Sequence, residues 1–70
     1  MTSVLAEFLR DMREKAGITQ KELAKEMGIS RSMVASIEKG RRRVTDDMHM
    51  KWVTTVRDVA RRRAKDVGAI

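Results

Sequence analysis

The sequence predicts an all-α fold of four to five helices, and three observations predict it. Gly17, Gly28 and Gly40 each follow a segment whose apolar residues recur at helical spacing, where a helix commonly ends in the left-handed conformation. Ser3, Thr19 and Ser30 each precede such a segment and can act as N-caps. The remaining stretch, from Thr45 or Asp46 to about Val67, holds neither Gly nor Pro and carries a helical stripe of its own.

The first helix is expected from Ser3 to Ala16, with Leu5, Phe8, Leu9 and Met12 turned inward and Glu7, Arg10, Asp11 and Glu14 on the opposite face. The second has the strongest start signal in the chain. Thr19-Gln20-Lys21-Glu22 reads as a capping box, and Ile18 and Leu23 stand where a hydrophobic staple requires them. Leu23, Ala24 and Met27 then face the core. The third helix repeats the device, with Ser30 as cap, Ile29 and Val34 as staple, and Val34 and Ile37 as a narrow buried stripe.

The fourth segment places Met48, Trp52, Val56, Val59, Arg63 and Val67 near one face, and Asp46 and Asp47 at its start suit the helix dipole. Five of the seven residues from Val53 to Val59 are β-branched, which weakens helix propensity there. A break, or a short strand for dimer pairing near Thr54-Thr55, is the alternative to one long helix.

Composition sets the bounds. Seventy residues allow one small domain, and chains near that size bury only about 60% of their surface, so outside support is common. With no Cys there is no disulfide or thiolate metal site, and His49 alone cannot build a zinc site, so no metal and no cofactor are expected. Oligomerisation is the remaining support. The net charge of +6 is unevenly placed: residues 1–39 carry seven basic and six acidic groups, residues 40–70 nine and four. Such an excess points to an anionic partner, nucleic acid first. No apolar run approaches a membrane span, and the N-terminus lacks the pattern of a signal peptide, so a cytoplasmic chain without membrane contact is expected.

Two short capped helices joined by a tight turn make a helix-turn-helix, at about residues 19–39. Thr19-Gln20, Leu23-Ala24, Gly28-Ile29-Ser30 and Ile37-Glu38-Lys39-Gly40 all fall in one register, and over about residues 5–53 the chain resembles the DNA-binding domain of the Cro and phage-repressor (XRE-type) family. The resemblance implies a compact λ-repressor-like domain. The chain departs from the family at Val44, in a region where a proline is frequent, and in its long basic C-terminal segment, where two short helices are usual.

In such a motif the second helix enters the major groove with its N-terminal residues against the base edges. With Val34 and Ile37 turned to the core, Arg31, Ser32, Ala35 and Ser36 point outward. Arg31 is the sharpest candidate for base reading. The helix dipole opposes a cation in the first turn, and a guanine offers two acceptors in return. Ser32 and Ser36 can discriminate bases weakly, and Met33 is expected partly exposed near the DNA. The free amides at Gln20 and Lys21 suit a phosphate, and Lys39, Arg41, Arg42 and Arg43 would neutralise others. The resemblance adds a phosphate contact for the Gln20 side chain, with bracing of Arg31, and a largely buried ion pair between Arg13 and Glu38.

Met48, Trp52 or Val53 would close the core over the first helix, leaving Val56, Val59, Arg63 and Val67 for a dimer seam. The resulting expectation is a small dimeric repressor, or autorepressor, on a palindromic operator, encoded by a bacterium, phage or plasmid and needing no small-molecule effector. A DNA-binding antitoxin, with a protein partner on the C-terminal segment, and a restriction–modification controller are the alternatives. An enzyme is rejected because no nucleophile, phosphate loop or metal spacing accompanies His49.

Overall fold

A computed structural model describes residues 3–68, with side chains from Ser3 to Lys65. Its described residues form four helices and no strand: α1 Val4–Lys15, α2 Gln20–Met27, α3 Arg31–Glu38 and α4 Asp46–Gly68. Every expected cap is in place. Ser3 accepts from the Ala6 amide and Ser30 from the Met33 amide, each at 3.0 Å. The capping box of α2 is complete, with Glu22 N–H donating to Thr19 Oγ1 and Thr19 N–H to Glu22 Oε1, both at 3.0 Å. Gly28 ends α2 at φ +71°, and nothing lies within 4 Å of where a side chain would begin. The turn therefore asks for glycine on backbone grounds alone.

α1 and α2 each pack against both α3 and α4. Between them lies a core of Leu9, Ile18, Leu23, Ala24, Met27, Val34, Ile37, Trp52, Val56 and Val59. Trp52 is fully buried at its centre, and its indole N–H donates to the Leu9 carbonyl at 3.1 Å.

Two expectations are corrected, and one alternative is set aside. Phe8 is 51% exposed, because the buried face of α1 runs through Ala6, Leu9 and Arg13, leaving Phe8 at its edge beside His49. The helix expected over the fourth segment is present and the alternative of a break or strand is not, since the β-branched run does not interrupt α4, which continues from Asp46 through Gly68. Burying Trp52, Val56 and Val59 on one helical face outweighs a propensity cost of a few tenths of a kcal/mol per residue. Finally, the stripe assigned to a dimer seam is used within the chain. Val56 and Val59 are 3% and 6% exposed in its own core. Arg63 donates to the Gly17 carbonyl at 2.9 Å and pairs with Glu22. The side chain of Val67 lies outside the described residues.

Candidate nucleic-acid interface

The tight turn at Gly28 swings the chain from α2 into α3, and Ile29 N–H reaches back to the Ala24 carbonyl at 3.0 Å. Val34 and Ile37 are buried, which fixes the rotation of α3 about its axis. Arg31 and Ser32 are consequently exposed in its first turn, and Met33, Ala35 and Ser36 are half-buried. Met33 leans on the edge of the core, so its thioether is only partly available to a ligand. Among the described residues no carboxylate lies within ion-pair distance of Arg31. Its guanidinium stands in solvent at the dipole's unfavourable end.

Behind this face sits a buried polar unit. Arg13 and Glu38 are 9% and 5% exposed. Their side chains meet as a two-pronged pair, Nε to Oε2 at 2.6 Å and Nη2 to Oε1 at 2.9 Å. Arg13 Nη1 donates to the Ile18 carbonyl at 2.7 Å, tying down the α1–α2 turn. Gln20 Nε2 donates to Glu38 Oε1 at 3.1 Å. The side chain of Gln20 is thus fastened to Glu38 and not to Arg31, as the resemblance had implied. No buried side-chain nitrogen or oxygen among the described residues lacks a partner.

The cations divide into two sets. Lys39, Arg41, Arg42 and Arg43 are exposed on the turn after α3 and make no ion pair among the described residues. Gly40, at φ +72°, and the bond from Arg41 N–H to the Ser36 carbonyl reverse the chain there, so this run begins beside the last turn of α3. Lys21 is exposed in the first turn of α2. The second set is occupied: Arg62 pairs with Glu26 and Arg63 with Glu22, holding α4 against α2.

Backbone and hydroxyl donation from Thr19, with help from Arg63, holds the Glu22 carboxyl below the usual glutamate range. A group with a depressed folded pKa contributes stability above its unfolded value and loses it as pH falls through the folded one. Acid titration followed by circular dichroism should therefore show E22Q less sensitive than wild type below the ordinary carboxylate range. Equal acid sensitivity of the two proteins would remove Glu22 from that transition.

Sequence reasoning left Arg10 an outward residue without a role and Arg62 without a partner, and it missed the Arg63–Glu22 contact. Arg10 had a legible signal, since it lies one turn before Arg13 and shares its side of α1. The two α4 contacts had none, because they depend on how α4 crosses α2.

Among the described residues no group of His, Cys, Asp and Glu is placed to hold a metal ion, and no helix is long and apolar enough to cross a membrane. No curated protein matches the chain. A family model described as helix-turn-helix matches residues 9–52, which takes in the end of α1, all of α2 and α3, and the start of α4. An exposed, capped second helix flanked by unpaired cations agrees with that match, and the chain belongs to the Cro and XRE-type helix-turn-helix family of DNA-binding regulators.

Proposed function

We propose that this chain is a sequence-specific transcriptional repressor that occupies a palindromic operator as a homodimer and acts in the cytoplasm of a bacterium, on a host, phage or plasmid gene. One observation carries the reading: an unpaired Arg31 in the exposed first turn of α3, in a chain that also exposes Lys21 at the start of α2 and the unpaired cations from Lys39 to Arg43. Arg31 reads a guanine through O6 and N7, and Ser32, Ser36 and the edge of Met33 add weaker contacts. The amides of Gln20 and Lys21 precede the first intrahelical bond at Leu23 and take a phosphate. Lys39, Arg41, Arg42 and Arg43 supply the salt-dependent remainder.

The homodimer draws on surface that the single chain leaves open. Phe8, Met12, Ala16 and Ala60 line a largely apolar hollow of about 410 Å³ between α1 and α4, bordered by Arg57 on α4 and by Asp11 and Lys15, paired at 3.0 Å, on α1. Its apolar lining suits a second copy related by two-fold symmetry, since each copy then covers the other's exposed Phe8 with the same surface.

Selection of bound duplexes from a random library, near physiological salt, tests the reading. An enriched palindrome with half-sites about one helical turn apart is the expected result. Recovery of unenriched DNA would overturn specific recognition. On the selected site, Arg31→Ala should cost about 1–3 kcal/mol and relax preference at one base pair. Arg42→Ala should weaken every duplex alike and flatten the salt dependence. Identical behaviour of the two variants would end the division between reading and anchoring.

A further inference from the structure

Arg10 lies on α1, outside the helix-turn-helix, yet it borders the same surface. It lines a hollow of about 220 Å³ together with Arg13, Gln20, Ala35, Glu38 and Lys39. An adjoining hollow of about 300 Å³ shares Arg10, Glu38 and Lys39 and adds Glu7 and Arg41. Ala35 belongs to the half-buried outward side of α3, and Gln20 opens α2. The surface beside the recognition helix is therefore assembled from three helices and the turn that follows them.

The charges in these hollows select a ligand class. Glu38 is spent: both of its oxygens accept from Arg13, and Oε1 also accepts from Gln20. What remains is Arg10, Lys39 and Arg41 against Glu7 on one border and the nearby Glu14. Arg10 Nε holds Glu14 at 2.6 Å, an exposed contact one helical turn away, with side chains 62% and 50% exposed. Such a pair is readily exchanged, because an exposed i,i+4 ion pair contributes little net stability. A phosphodiester offers the same guanidinium two acceptors in fork geometry. Gln20 keeps one amide hydrogen free to donate to the same anion.

We propose that Arg10, with Gln20 and Lys39, forms a phosphodiester site for the duplex backbone, and that Arg10 exchanges Glu14 for the phosphate when the duplex docks. The inference rests on α3 being the element seated in the groove, and it adds α1 as a contributor to binding. Glu14 then acts as a placeholder that keeps the guanidinium extended and weakens attachment to any duplex.

The test measures duplex affinity against salt concentration for wild type, R10A, R10K and E14Q, using the selected duplex and one unrelated sequence. Thermal melts are run alongside. R10A should bind both duplexes more weakly, with the slope of log K against log salt reduced by about one. R10K should recover the slope, since a phosphate accepts a point charge, and E14Q should bind both duplexes more tightly. A merely structural Arg10 would shift the melting temperature and leave the slope alone. If wild type binds with a strong salt dependence and R10A keeps that slope, this inference falls and the DNA-reading assignment stands. If wild type itself binds no duplex, both fall together.

Discussion

Arg13→Ala should destabilise the fold by about 3–5 kcal/mol, because it strands a carboxylate that is 5% exposed with only Gln20 to answer it. The Ile18 carbonyl loses its guanidinium donor in the same step. Domains of this length have total stabilities of roughly 4–10 kcal/mol, so the variant should lose about half of its stability and unfold at room temperature only if the wild type lies at the low end of that range. Urea unfolding followed by circular dichroism measures the loss directly. Any loss of DNA binding should be uniform across sequences and should track the folded population. The companion experiment replaces both partners with apolar residues of similar length, Arg13→Met with Glu38→Leu. Removing both charges takes away the desolvation cost along with the attraction, so this double variant should regain much of the stability. A melting temperature for R13A within a few degrees of wild type would show that the pair does not support the fold.

Trp52→Ala should be of the same size, about 3–5 kcal/mol, for a different reason. The indole is fully buried where α4 meets α1, and its removal leaves a cavity that the neighbouring helices cannot collapse to fill. Trp52→Phe separates two contributions. It keeps most of the apolar area but gives up the bond to the Leu9 carbonyl, and it should cost less than half as much. Denaturant midpoints of the two variants decide the matter. A cost for W52A below about 1.5 kcal/mol would mean that α4 is not the lid of this core. The same residue is a convenient reporter, since it is the chain's single tryptophan and sits at the centre of what must come apart.

Local chemistry was legible in the sequence wherever its cause was local. Thr19 with Glu22, Ser30 before Arg31, and glycine at 17, 28 and 40 each act within one turn of the chain, and their geometry follows from residue type and spacing. The outward face of α3 was equally readable, because Val34 and Ile37 leave it one rotation. Long-range use of side chains was not. Periodicity placed Val56, Val59 and Arg63 on one stripe, but a stripe does not say whether it meets its own chain or another copy. That choice depends on the crossing of α4 over α1 and α2, and here the chain takes the first two for its core and the third for Glu22 and Gly17. Phe8 illustrates the complementary error. It has the residue type of a core position, yet Arg13 holds the inward place on α1 because it has Glu38 to meet.

Glu38 accepts hydrogen bonds from α1 through Arg13 and from α2 through Gln20 while standing at the end of α3. One carboxylate thus locks the helix that would read bases to the two that would grip the backbone. A protein linked in this way meets its partner already ordered, with little conformational entropy left to surrender on association. Its heat-capacity change on binding then reflects the dehydration of two fitted surfaces, and it is far smaller in magnitude than the large negative value of a segment that folds as it binds.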